Sequence, residues 1–256
     1  MKDVILLITS SWDRSLDSVI KVLEKREVKF FRFDTETFPG AASLKVEFSE
    51  PEITGLLRCG DASIEIERIK SCWYRHVSPS KLLGEIPKDY IRIVQEESET
   101  AIWSLYTCLD VFWMNHPLFG SRLLGNNKLF QIKSASRVGL KVPETIISNN
   151  PEELIRFCRV HGGELAVKLL SGHVFLPKGS KDSMCVYTQL VSENNLVNNS
   201  RAIRMAPVLA QRYIRKHLEL RITIVGQKIF TCAIHSQDSS RTLHDWRRYD
   251  FSKVRH

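Results

Sequence analysis

From residue 218 to residue 225 large apolar side chains alternate with polar or smaller ones. Leu218, Leu220, Ile222 and Ile224 hold one parity, and Glu219, Arg221, Thr223 and Val225 the other. A period of two predicts a half-buried strand. Gly226-Gln227 follows, and glycine at the first central position suits a two-residue type II′ turn, so residues 228–236 read as the returning strand. Because alternate strand residues share a face, Glu219 and Arg221 point the same way, roughly 7 Å apart. A carboxylate and a guanidinium side by side on a hairpin can hold a ligand. They can equally belong to a cross-strand surface ion pair worth roughly 0–1 kcal/mol.

The start of the chain has a different rhythm. Residues 3–9 (DVILLIT) read as a buried strand, and residues 15–26 place Leu16, Val19, Ile20 and Leu23 at helical spacing. A second strand over 28–33 ends at Asp34. This β-α-β opening predicts an α/β fold with a parallel, doubly wound sheet. A glycine-rich phosphate loop would follow the first strand, but the sequence there is TSSWDRS, which excludes a dinucleotide-binding Rossmann unit. Residues 45–69 read as antiparallel strands with turns at Pro51 and Gly60-Asp61, and 69–75 as one more strand. Residues 90–112 predict a long helix whose inner face carries Ile91, Val94, Ser98, Ile102, Leu105 and Leu109, with Trp103 and Trp113 in the core. Asn115-His116-Pro117 breaks the pattern and marks a boundary.

Beyond it Asn127 is placed to cap a helix with an apolar stripe of Leu129, Ile132, Ala135 and Val138, stopped by Gly139. Asn150-Pro151 starts the next helix and Gly162-Gly163 ends it. Residues 164–170 (ELAVKLL) form a short strand with one lysine in an apolar run. Burying an unpaired ammonium costs several kcal/mol, so Lys168 either snorkels to solvent or meets an anion at the strand's edge. Residues 173–183 read as a mobile loop in which Lys178, Gly179 and Lys181 are available to cover phosphates.

Composition adds bounds. The 256 residues, 43% apolar and 26% charged, have the usage of a soluble globular chain, with no apolar run of membrane-spanning length and no signal-peptide pattern. Six cysteines are scattered without a C-x-x-C, which points to reduced core thiols in a cytoplasmic protein. The net charge of +8 is uneven: residues 1–200 hold 25 Lys+Arg against 25 Asp+Glu, and residues 201–256 hold 12 against 4. Such an excess suits nucleotide phosphates, an acidic peptide or nucleic acid. No helix-turn-helix, zinc finger or aromatic RNA-binding motif accompanies it, which argues against nucleic acid.

Taken in order, several segments carry a resemblance: WYRH at 73–76, NHP at 115–117, NKLFQIKSASRVGLKVPETIISN at 127–149, AVKLLSG at 166–172, VYTQLV at 186–191, QRYI at 211–214, ELRITIVG at 219–226 and HSQ…DWRRYD across 235–250. Together they resemble the ATP-grasp ligases, in particular the graspetide branch of microviridin-type peptide macrocyclases. The resemblance implies an N-terminal pre-grasp domain over 1–115, a central domain over 116–190, and the start of a C-terminal grasp domain over 191–256. It matches Lys128 and Lys168 to the two lysines on ATP phosphates, and Gln211, Arg212, Tyr213 and Ile214 to the adenine-reading hinge. Glu219 matches the ribose-binding acid, and Arg221 and Arg247 match arginines near the γ-phosphate and acyl-phosphate.

By the same resemblance the cofactors are ATP and Mg²⁺, and the partner is a precursor peptide with a leader and an acidic core. The implied reaction activates Asp or Glu side chains as acyl-phosphates and closes ester or amide rings with Ser, Thr or Lys. The family pattern further implies magnesium ligands in a stretch beyond His256. Glu219 and Asp245 are the nearby carboxylates here, so this chain is expected to be a truncated or degenerate member with weak or no ligase activity by itself. The alternatives are a ligase joining an amino acid to a protein or small acid, and a non-catalytic peptide- or nucleotide-binding member. The assembly could be a homodimer.

Overall fold

The computed structural model describes residues 2–82, 84, 86–125, 127–170, 174–175 and 184–255, the side chains of 121–124 and 174–175 excepted. The chain divides into two compact units, Met1–Leu123 and Leu124–His256.

In the first unit, strand β1 (Val4–Thr9) leads into helix α1 (Ser15–Lys25) and returns as β2 (Phe30–Asp34), parallel to β1 as the opening pattern predicts. An antiparallel meander follows: β3 (Ala42–Ser49), β4 (Glu52–Cys59) and β5 (Ala62–Glu65). Strand β6 (Ile69–Tyr74) then lies parallel to β1 on its other side, and helix α2 (Ile91–Cys108) precedes β7 (Phe112–Met114). The parallel sheet has the order β2-β1-β6-β7. Its core gathers Leu6, Ile8, Phe33, Ile69 and Cys72 of the sheet, Leu57 and Ile64 of the meander, and Ile102, Leu105 and Tyr106 of α2. Trp103 and Trp113 pack against that core, as expected.

The predicted helix over 90–112 is too long. The backbone turns extended at Leu109, and Phe112–Met114 gains more by pairing with Ser71–Trp73 at the sheet edge. Ile91, assigned to the inner face, is exposed, whereas Tyr106 is buried.

The second unit opens with helix α3 (Lys128–Arg137), capped by Asn127 Oδ1 accepting from the Phe130 amide at 2.9 Å. At its end Gly139 takes φ +81°. The Gly139 and Leu140 amides donate to Ser136 O and Ala135 O, a pattern that satisfies the last carbonyls. Next come β8 (Thr145–Ser148), α4 (Pro151–Val160) and β9 (Glu164–Lys168). Asn150 caps α4 by accepting from the Glu152 and Glu153 amides.

A small hairpin, β10 (Val174–Phe175) with β11 (Met184–Cys185), occupies part of the stretch expected as loop. Lys178, Gly179 and Lys181, with Ser171 and Gly172, lie outside the described residues. Strand β12 (Gln189–Ser192), helices α5 (Glu193–Asn198) and α6 (Ser200–Met205), and strand β13 (Val208–Arg212) follow. The antiparallel sheet β12-β9-β13-β8 buries one face under α4, α5 and α6 through Leu165, Ala210, Leu154, Cys158, Leu196 and Ile203.

The hairpin of β14 (Glu219–Val225) and β15 (Lys228–Ile234) forms with the expected register, Val225 opposite Lys228, and Gly226 at φ +59° makes the turn. It is not half-buried. The two strands form a sheet by themselves, so Leu220, Ile222 and Ile224 are exposed. The stripe expected on α3 is likewise open at Leu129 and Val138, and no α3 residue is fully buried. Nor are the cysteines all core thiols: Cys72 and Cys158 are buried, Cys59 is half-buried, and Cys108, Cys185 and Cys232 are exposed. Among the described residues no helix is long and apolar enough to cross a membrane.

Tyr106 gives this packing a test. Its hydroxyl is buried without a hydrogen-bond partner among the described residues, and such a group costs about 1–3 kcal/mol. Tyr106→Phe is expected to raise the urea midpoint, by about 1 kcal/mol in unfolding free energy. A clear loss of stability would mean that the hydroxyl is satisfied in solution.

Candidate active site

Strand parity builds the floor of the site. Leu165 and Val167 of β9 and Val208 and Ala210 of β13 face the helices. The intervening Ala166, Lys168, Leu209 and Gln211 therefore face the other way, and all four line a cleft of about 670 Å³. Lys128, at the first turn of α3, contributes one wall, and the end of β13 with the following residues Tyr213 and Ile214 another. Glu219 and Arg221 reach the cleft from the hairpin, and Asp245, Trp246 and Arg247 from the last short turn. All nine residues assigned from the resemblance line this one cleft: Lys128, Lys168, Gln211, Arg212, Tyr213, Ile214, Glu219, Arg221 and Arg247.

The side-chain contacts show how each is held. Leu209 and Lys168 are cross-strand partners, and Lys168 Nζ reaches along the face to donate to Gln211 Oε1 at 2.9 Å. Gln211 Nε2 in turn donates to Thr145 Oγ1, whose hydroxyl donates to Pro143 O. Lys168 thus meets a neutral amide rather than a carboxylate. Burial lowers its pKa, and the nearby Arg247 lowers it further, against an opposing pull from Asp245. Lys128 Nζ donates to Leu170 O at 2.8 Å, and its pKa is lowered by burial and by Arg247.

Glu219 and Arg221 do not pair with each other. Glu219 Oε1 accepts from Lys216 Nζ at 2.5 Å, and Lys216 also donates to His244 O. Arg221 has no ion-pair partner among the described residues. Arg212 is turned to Glu144, with Nε to Oε2 at 2.5 Å. Tyr213 Oη and His244 Nδ1 lie 3.2 Å apart, while Ile214 is exposed.

Asp245 is the most heavily bonded group of the site. Oδ1 accepts from the Arg247 amide at 3.1 Å and from Arg247 Nε at 2.8 Å. Oδ2 accepts from Arg247 Nη2 at 2.5 Å and from the Thr188 amide at 2.9 Å. Burial alone would raise its pKa, but the Arg247 side chain and the two backbone donors outweigh burial and hold it far below 3.8. The same pairing raises the pKa of Arg247. Four accepted bonds fill a carboxylate's capacity, which leaves Asp245 no lone pair for a metal. Glu219 has one engaged oxygen, and no group of three metal-binding side chains occurs among the described residues. The described residues of the cleft therefore do not by themselves fit a magnesium site, which takes octahedral oxygen ligation. The cleft does fit a polyanion, since Lys168 and Arg221 face it without a carboxylate partner among the described residues.

Lys216, His244 and the Gln211 side chain are the parts that sequence reading missed. The parity shared by Lys168 and Gln211 on adjacent strands could have found the last; the other two depend on loop geometry.

Against this geometry the comparisons are specific. Residues 4–118 match the family model of the MvdD pre-ATP grasp domain. The structure is similar to the RiPP-associated ATP-grasp ligase of Chryseobacterium gregarium, solved in complex with ADP and a leader and core peptide: TM-score 0.86, 27% identity, covering 96% of this chain and 73% of that one. It is also similar to the macrocyclase MdnC of Microcystis aeruginosa MRC, bound with precursor peptide MdnA: TM-score 0.82, 30% identity, covering 94% of this chain and 80% of that one. For the macrocyclase MdnB of the same organism the values are 0.76 and 29%, covering 91% and 75%. No curated protein matches the chain. The chain belongs to the ATP-grasp ligases, in the branch of these RiPP-associated peptide-modifying enzymes.

The buried Asp245 carboxylate sets an acid limb of stability. Its folded pKa lies below the ordinary 3.8, so the unfolded chain binds the extra proton as pH falls. The stabilisation is complete above that ordinary value and is lost as pH drops through the folded pKa. Between about pH 4 and pH 2 the melting temperature of the native protein is expected to fall more steeply than that of Asp245→Asn. Parallel curves would show that Asp245 titrates normally.

Proposed function

We propose that the chain is an ATP-dependent, ADP-forming carboxylate ligase acting on a ribosomal precursor peptide. The observation that carries the reading is the convergence of Lys128, Lys168, Arg221 and Arg247 with Glu219 and the 211–214 segment on one cleft. Lys128 and Lys168 would neutralise the polyphosphate, each as a compact donor. The backbone of residues 211–214 would read the adenine edge, and Glu219 would accept from the ribose hydroxyls. Arg221 and Arg247 would hold the terminal phosphate and the developing acyl-phosphate.

ATP supplies the phosphoryl group that turns a side-chain Asp or Glu carboxylate of the peptide into an acyl-phosphate. A Ser or Thr hydroxyl or a Lys amine of the same peptide then displaces phosphate and closes an ester or amide ring. The chain's part is positioning and charge stabilisation, with no covalent nucleophile required. The complexes of the two relatives with leader, core or precursor peptides support a peptide as the substrate. The division into a pre-grasp part (1–115), a central part (116–190) and a C-terminal part (191–256) belongs to the same proposal. A non-catalytic nucleotide- or peptide-binding member is the second reading, favoured by the engagement of Asp245 with Arg247 and Thr188 and of Glu219 with Lys216.

Calorimetric titration of ATP into the native chain and Lys168→Ala tests the nucleotide site. Saturable binding is expected, weakened about tenfold or more in the variant, since a charge-assisted contact contributes about 1.5–3 kcal/mol. The absence of ATP binding, with and without magnesium, would sink the proposal.

A further inference from the structure

A smaller cavity, of about 120 Å³, lies in the first unit. Glu99, Ile102, Trp103 and Tyr106 line it from α2, at the i, i+3, i+4 and i+7 spacing that shares one helix face, and Tyr74, Thr35 and residues 77–80 complete the wall. Ile102 and Tyr106 are buried whereas Pro79 and Glu99 are exposed, so the cavity has an apolar floor and an opening to solvent. At the floor the Tyr106 ring meets three others edge-to-face: Tyr74 at 5.9 Å, Trp103 at 6.0 Å and Trp113 at 5.8 Å between centroids. The ring is therefore fixed. Its hydroxyl is buried and finds no acceptor among the described residues, and burial lifts its pKa well above the ordinary value, so it stays a donor. A phenylalanine would pack against the same rings without an unpaired donor to bury.

We propose that this cavity binds a small uncharged group with an apolar body and one hydrogen-bond acceptor, the acceptor taking the bond that the Tyr106 hydroxyl offers. Size sets the first limit. An apolar cavity of about 150 Å³ holds benzene, so this one has room for about five heavy atoms, far fewer than a nucleotide or a stretch of peptide. Charge sets the second. Among the described residues no Lys, Arg or His lines the cavity and Glu99 stands at its opening, which disfavours an anion. A cation would lose its hydration at the apolar floor and has no acceptor to offer the hydroxyl. Water sets the third. The volume admits about four waters, each needing two to four polar partners, and the polar side chains of the wall are engaged elsewhere. Thr35 Oγ1 donates to Ser78 O at 2.8 Å and accepts from the Ser78 amide at 2.9 Å, and Ser78 Oγ accepts from Trp12 Nε1 at 2.8 Å. The site is independent of the nucleotide cleft, whose lining residues all belong to the second unit. A free small molecule and a single side chain of a bound peptide share this chemistry.

The test is methyl-resolved NMR of the native chain, Tyr106→Phe and Val77→Phe, following the Ile102 δ1 methyl. The probes are tetrahydrofuran, its acceptor-free counterpart cyclopentane, and tetramethylammonium. Saturable shifts are expected with the first two in the native chain. Tyr106→Phe, which keeps the packing, is expected to weaken tetrahydrofuran about tenfold and to leave cyclopentane within about twofold. Val77→Phe fills the space and is expected to abolish both; if that variant does not fold, the comparison in Tyr106→Phe carries the test. Acetyl-glutamine and acetyl-methionine methylamides separate the two sources. Competition with tetrahydrofuran supports the site as one for a peptide side chain, and its absence supports the site as one for a free molecule. No saturable shift with either ring overturns the proposal, since the cavity then holds water only. Unchanged tetrahydrofuran affinity in Tyr106→Phe, equal weakening of both rings, or tighter binding of tetramethylammonium than of tetrahydrofuran overturns it as well.

Discussion

A buried carboxylate surrounded by four donors organises the cleft of the second unit. Asp245 takes two bonds from the Arg247 side chain, one from the Arg247 amide and one from the Thr188 amide. Without it, Arg247 would share a confined space with Lys128 and Lys168, each of which already holds its proton less firmly because it is buried and, after that, because Arg247 is near. Like charges held together cost free energy until an anion arrives, and that cost is repaid on binding. The neutral amide of Gln211 has the complementary role. It gives Lys168 an acceptor without cancelling its charge, so the lysine is oriented yet remains electrostatically available.

The sheet explains why these groups meet. In β9 and β13 one parity is apolar and disappears under three helices, which forces the other parity, with its lysine and glutamine, onto the open side. The fold thus uses one hydrophobic layer both to hold the sheet and to aim the polar set. The hairpin of β14 and β15 obeys the same alternation, yet carries exposed apolar residues on a two-stranded sheet. Its contribution to the cleft lies at its base, where Glu219 meets Lys216 and Arg221 lines the wall.

Local signals were the most legible in the sequence. The Asn127 and Asn150 caps, the Gly139 stop and the Gly226 turn each depend on a few neighbouring residues, and the structure places them as expected. The parallel opening of the first unit was also readable, because strand and helix periods alternate cleanly. Coverage was not. Periodicity says which residues share a face but not whether another layer lies upon it, and so Leu129 and Val138 of the α3 stripe and Leu220, Ile222 and Ile224 of the half-buried strand it predicts are exposed. The end of α2 was missed because Phe112–Met114 answers to a strand some forty residues earlier. The nine site residues came from the resemblance to ATP-grasp ligases; spacing alone left Lys168 between solvent and an anion, and Glu219 with Arg221 between ligand and surface pair. The bonds that orient them, Lys168 to Gln211 and Asp245 to Thr188, join residues 43 and 57 apart and leave no local trace.

In the proposed function one cleft in residues 124–256 binds nucleotide polyphosphate through its floor strands and last turn. Hydrogen exchange of the chain with and without saturating ATP, resolved by peptide mass, tests it most directly. Slowed exchange is expected in the segments over 164–170, 208–214 and 244–248, with β3 to β5 of the first unit unchanged. Uniform protection, or protection that misses these three segments, would contradict it.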